Sequence, residues 1–139
     1  MAGPTVLRET GTGKEVTLQE GESADITFVP KDMTGAAILK ANILTLTVVL
    51  YNFATKAAIN SRGPTPQNVL DANGGLVATD GTLTLRLQAA DNPIVGTLAA
   101  GKTETHCLEF AWTWSDGVLT RTAKSGPQAI SVEKLATVT

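Results

Sequence analysis

The sequence predicts an all-β fold, an antiparallel β-sandwich of eight or nine short strands. Two long segments, Ile43 to Tyr51 and Glu104 to Trp114, alternate apolar and polar residues at the period of a half-buried strand. Turn-forming Gly, Asn, Asp and Pro recur at short intervals between apolar runs. No long stretch carries a helical period, and β-branched threonine is abundant throughout. Alternation with polar outer faces suits antiparallel sheets packed face to face. Immunoglobulin-like and jelly-roll topologies both remain open at this stage.

Residues 1–14 hold Gly, Pro and Thr with little apolar content and are expected to form an extended arm. The sandwich domain is expected over 15–134 and a tail over 135–139. Val16 to Leu18 and Ala24 to Val29 are strand candidates on either side of a turn at Glu20-Gly21-Glu22-Ser23. Lys31 to Asn42 fits either a short helical turn or a loop, since Gly35 weakens its helical spacing.

In the first strong strand Leu44, Leu46, Val48 and Leu50 share one face, and Thr45, Thr47, Val49 and Tyr51 share the other. Ala54-Thr55-Lys56 turns the chain so that Ala57-Ala58-Ile59 can pair back. Gly63, Pro64 and Pro66 make Asn60 to Gln67 a loop, followed by the apolar plugs Val69 and Leu70. Asn73-Gly74 and Asp80-Gly81 are tight-turn signals. Leu83, Leu85 and Leu87 then point inward from a further strand. A bend at Pro93 is expected to turn Ile94 and Val95 inward.

In the second strong strand His106, Leu108, Phe110, Trp112 and Trp114 share one face. Cys107, Glu109, Ala111 and Thr113 share the other. Ser115-Asp116-Gly117 is a hairpin turn, with Val118 to Lys124 returning. A two-residue loop at Asp116-Gly117 would set Glu109 opposite Lys124 and Arg121 beside Trp112. Including Ser115 would shift that register by one. Gln128 to Val132 is the last strand. The oily sides of the two long ribbons, near positions 47 and 110, are expected to press together as the core.

The charge pattern weighs against several partners. Net charge is −2 and Lys and Arg are scattered, so no basic stripe attracts nucleic acid. No apolar run approaches the length of a membrane span, and no secretory signal opens the chain. Synthesis and solubility in a host cytoplasm are the expectation.

The residues that could carry chemistry have plainer readings. His106 is the one histidine, and its neighbour Cys107 points to the opposite side of the strand, away from a nucleophile–base pair. Cys107, the single cysteine, fits a small buried hydrophobe. One His and one Cys cannot build a structural zinc site. Glu20 and Glu22 fit a solvated turn. Gly11-Thr12-Gly13-Lys14 lacks the first glycine of a phosphate-binding loop. Trp112 and Trp114 could line a sugar platform but continue a core stripe. No catalytic, cofactor-binding or metal-binding residue is therefore assigned, and the chain is expected not to be an enzyme.

The segments Leu44 to Tyr51, Ile59-Asn60-Ser61-Arg62, Asn68 to Gly74, Leu83 to Leu87, Ala90 to Val95, Glu104-Thr105-His106 and Phe110 to Trp114 resemble small tailed-bacteriophage virion structural proteins, most closely capsid cement or decoration proteins. The resemblance spans about residues 40 to 125 and is a pattern of strands and turns. It implies a β-sandwich or jelly roll, often a homodimer, that binds the major capsid protein on the outer capsid surface and bridges capsomers. A head–tail, neck or tail virion component, or a carbohydrate-binding module, would fit the same pattern. The low charge density leaves uncharged surface for contacts. Arms at both ends could order on a neighbouring subunit.

Overall fold

A computed structural model describes residues 5–9 and 16–135. Among these, ten strands and two single turns of 3-10 helix alternate, with no α-helix. The strands are β1 (Thr5–Glu9), β2 (Val16–Gln19), β3 (Ala24–Phe28), β4 (Ile43–Asn52), β5 (Gln67–Asn68), β6 (Gly75–Val77), β7 (Leu83–Leu87), β8 (Thr103–Ser115), β9 (Thr120–Lys124) and β10 (Gln128–Glu133). One sheet has the order β1-β3-β7-β6. The other runs β2-β10-β8-β4-β5, with β9 also paired to β8. The fold is an all-β sandwich.

Most neighbours are antiparallel, but β1 pairs β3 and β2 pairs β10 in parallel. Within the segment read as an arm, Thr5–Glu9 is thus an edge strand; the rest of that arm, and 136–139 of the tail, lie outside the described residues.

The core lies between the sheets. β3 and β7 contribute Ala24, Ile26, Phe28, Leu83, Leu85 and Leu87. Facing them are Leu46, Val48 and Leu50 of β4, Leu108, Phe110, Trp112 and Trp114 of β8, and Ile130 and Val132 of β10. Phe28 ties the layers together. Its ring stacks on Phe110 with centroids 4.3 Å apart and meets Trp112 edge-on at 5.1 Å.

The two long ribbons do not press on one another. β4 and β8 are hydrogen-bonded neighbours in one sheet, with Thr47 opposite Ala111. Their oily sides form a single face, and β3 and β7 cover it. Alternation identifies which face of a strand is buried but carries no information on whether two such strands lie side by side or face to face.

Three local expectations also change. A bulge between Ile43 and Thr45 turns Ile43 into the core and leaves Leu44 exposed. Val95 is exposed, because the bend after Pro93 carries the chain outward once Ile94 has packed against the core. The β8–β9 hairpin adopts neither register expected for it. Lys124 lies opposite Ala111 and Arg121 opposite Trp114. The loop is Asp116 to Leu119, closed by an Asp116 N–H bond to the Leu119 carbonyl, so the return strand begins at Thr120 rather than Val118.

Other turns form as read. Asn73 and Gly74 both take positive φ, 53° and 89°. Ala57, Ala58 and Ile59 pair back onto β4, with Ile59 N–H bonding the Leu50 carbonyl. The Lys31–Asn42 segment is a loop ending in one 3-10 turn, Lys40–Asn42.

Candidate docking surface

One end of the sandwich combines two clefts with a group of exposed apolar side chains. Its first wall is the loop after β3, which the core holds firmly. Trp112 donates its indole N–H to the Lys31 carbonyl at 3.1 Å, and Ile38 N–H bonds Pro30 O. Asp32 folds the loop on itself, one oxygen accepting the Thr34 N–H and hydroxyl and the Ala36 N–H. Gly81 approaches so closely that a Cβ there would collide with the Ile38 carbonyl oxygen. Its φ of 95° also favours glycine.

The second wall is the β8–β9 tip, organised by one carboxylate. Asp116 Oδ1 accepts the amides of Val118 and Leu119 at 2.9 and 2.7 Å, and Oδ2 accepts Arg121 Nε at 2.8 Å. The Leu119 amide, then Arg121, then the Val118 amide hold its pKa down to about 2, below the ordinary 3.8. A lowered carboxylate contributes its ordering above the ordinary pKa and loses it as pH falls through the lowered one. The amide resonances of Val118 and Leu119 are therefore expected to hold steady at neutral pH and to shift with a midpoint near pH 2 in an NMR titration. A midpoint near 4 would show that the carboxylate does not hold the tip.

Between the walls lies a cleft of about 410 Å³ with Trp114 on its floor and Asp32, Leu39, Asn42 and Asp116 around it. An adjoining hollow of about 200 Å³ shares Asp32, Trp114 and Asp116 and adds Met33 and Arg121. Met33 and Leu39 on one wall are 78% and 57% exposed, and Val118 and Leu119 on the other are 87% and 56% exposed. Large apolar side chains exposed beside clefts are a feature that protein-binding surfaces share.

Of the residues weighed for chemistry, Trp114 lines the clefts, whereas His106, Cys107, Glu20 and Glu22 line neither. His106 is fully buried, and its Nε2 sits 2.9 Å from Glu104. The other Glu104 oxygen accepts Asn52 Nδ2 at 2.8 Å, and the amides of Val95 and Gly96 also donate to this carboxylate. Burial pushes the Glu104 carboxyl up, but the Val95 amide, His106 and the Gly96 amide outweigh it and hold the carboxyl below its ordinary range. Cys107 lies on the opposite side of the strand beside Tyr51; burial raises its thiol and, with Cys107 and Glu109, pushes Tyr51 up to about 12. A thiol in that state is a weak nucleophile.

Trp112 and Trp114 are both buried in the core stripe. Glu20 and Glu22 belong to a turn: Glu20 accepts the Leu135 amide and Glu22 the Gln19 amide. Among the described residues no group of three or more His, Cys, Asp or Glu is placed to hold a metal. No described helix is long and apolar enough to cross a membrane. The Gly11–Lys14 segment lies outside the described residues.

Sequence reasoning had picked out Trp114 and the Asp116-Gly117 turn but not the opposite wall. The Asp32-Met33-Thr34-Gly35 run carried a usable signal, an Asp two residues before a Thr and three before a Gly, which is an Asx-turn pattern. No protein-family model matches this chain, and no curated protein is significantly similar to it.

Proposed function

We propose that this domain is a non-enzymatic structural virion protein that binds the outer surface of a phage capsid and cements neighbouring capsomers. The observation that carries this reading is the end of the sandwich where Leu39 and Met33 line the two clefts and Val118 and Leu119 stand exposed on the adjoining hairpin loop. Hydrogen bonds from Asp32, Trp112 and Asp116 hold the loops that present these side chains, which lowers the ordering entropy lost when a partner covers them. The sparse charge of the chain supports a role in making contacts, and repetition around a shell multiplies modest contacts through avidity. The strand-and-turn resemblance to cement proteins supplies the choice of partner, the major capsid protein.

Mass spectrometry of purified particles tests the location. A cement is expected in many copies, in proportion to capsomers; a neck or tail component would appear as one small ring's worth. Absence from the particle overturns the proposal. The surface itself is tested with the double variant Val118→Asp/Leu119→Asp. Both side chains are solvent-exposed at a loop tip, so thermal unfolding is expected to be nearly unchanged. Co-sedimentation with capsids is expected to fall at least tenfold, since hot-spot losses of that size follow from burying unpaired charge. Retention equal to the parent would remove this end from the interface.

A further inference from the structure

The floor of the clefts holds a donor without an acceptor. Trp112 and Trp114 both lie in the core stripe, yet only Trp112 spends its indole N–H inside the fold, on the Lys31 carbonyl. Among the described residues Trp114 Nε1 has no acceptor. Two side-chain atoms of these residues are sealed from solvent without a partner, Asn92 Oδ1 and His106 Nδ1, and Trp114 Nε1 is not one of them. Its N–H therefore meets open space, and the open space that Trp114 borders is the pair of clefts. The residue is only 4% exposed, so its ring offers no face for stacking and presents this edge donor instead. Both clefts are bounded wholly by described residues.

A carboxylate on the rim is also unspent. Asp32 borders both clefts. Its Oδ1 accepts three bonds within its own loop, and Oδ2 accepts none among the described residues. The Thr34 hydroxyl and amide, then the Ala36 amide, hold the Asp32 carboxyl below its ordinary range, so it is charged at neutral pH. Asp116, the other carboxylate on the rim, is already met by Arg121 at 2.8 Å, whereas Asp32 has no cation partner among the described residues. Lys31 lines neither cleft. A free N–H on the floor calls for a neutral carbonyl, because an anion there would face two carboxylates. A free carboxylate on the rim calls for a cation. The exposed Met33 and Leu39 suit a hydrocarbon chain joining the two.

We propose that the clefts take a lysine of an extended partner segment: its main-chain carbonyl accepts the Trp114 N–H, its methylenes lie along Leu39 and Met33, and its ammonium pairs with Asp32. Such a site rests on the reading of this end as a docking surface, but not on the partner's being a capsid.

Titration of the full chain, labelled with 15N, with Nα-acetyl-lysine-N-methylamide decides it at the two indole resonances. The Trp114 indole is expected to shift saturably with a roughly millimolar Kd, together with the Thr34 and Ala36 amides, while the Trp112 indole holds still. The norleucine analogue keeps the carbonyl and the chain but lacks the ammonium, and is expected to bind about two- to fivefold more weakly. The glutamate analogue is expected to give no saturable shift. Asp32→Asn, whose side-chain oxygen can still accept the loop amides, is expected to weaken the lysine probe by the same factor and leave the norleucine probe unchanged. The analogue series keeps the test decisive if that variant does not fold. A Trp114 indole indifferent to the lysine probe, or equal affinity for lysine and norleucine, would overturn the proposal. So would saturable shifts with methyl glucoside at lower concentration, which would make the cleft a sugar site. Absence of the protein from virions would leave these titrations as they are, and their failure would leave the particle count as it is.

Discussion

Arg62→Ala is expected to destabilise the protein by about 3–5 kcal/mol, because it strands a buried carboxylate. Asp91 is fully buried, and Arg62 is nearly so. The guanidinium grips it with two bonds, Nε to Oδ1 at 2.7 Å and Nη2 to Oδ2 at 3.2 Å. Asn60 Nδ2 and the Gln88 amide complete the carboxylate's shell. The remaining guanidinium nitrogen donates to Gln67 Oε1 and the Asn73 carbonyl. One side chain thus ties the β4–β5 loop, the Asn73-Gly74 turn and the 3-10 turn Ala89–Asp91 together. Urea denaturation checks the magnitude. The double variant Arg62→Met/Asp91→Leu is expected to recover much of the loss, since removing both charges leaves none unpaired. A single-variant loss under 1 kcal/mol would mean that water reaches Asp91 and this ion pair is not structural.

Phe110→Ala is expected to cost a similar amount, about 3–5 kcal/mol, by a different route. Phe110 is buried at the centre of β8 and stacked on Phe28 of the opposite sheet. Truncation removes that cross-sheet contact and opens a cavity that the surrounding strands can only partly close. Trp112 loses the ordered neighbourhood of its Phe28 edge contact, so near-UV circular dichroism is expected to weaken along with thermal stability. Phe110→Leu, which keeps most of the volume, is expected to cost less than half as much. Equal losses for the two variants would show that ring stacking, not cavity formation, sets the cost.

The faces of β4, β7 and β8 were legible because burial on one side imprints a period of two. Leu83, Leu85 and Leu87 are all fully buried, as their spacing required. Turn chemistry was legible where positive φ is needed, as at Asn73-Gly74. Pairing between distant segments was not. The register of β8 with β9 depends on Asp116 bonding two amides inside a four-residue loop, an outcome that the Asp-Gly pair alone does not specify. The Arg62–Asp91 pair spans 29 residues of sequence and leaves no periodic trace. The apolar end was missed for a related reason. Met33 and Leu39 come from an irregular loop, so no alternation marks them as outward. The alternation of Val118 to Lys124 predicts strand for Val118 and Leu119, which the four-residue loop places in the turn instead.

The parallel pairing of β2 with β10 has a consequence for synthesis. Val16 meets Ile130, so a strand made early must wait for one made more than a hundred residues later before the larger sheet can close. Loop closure over that separation slows folding. Until Glu133 has left the ribosome, β2 lacks β10, its one sheet partner among the described residues, and its own apolar Leu18 stays uncovered on that side. A stop anywhere within β10 should therefore unseat the other end of the domain as well, leaving a chain that proteases and chaperones recognise as incomplete.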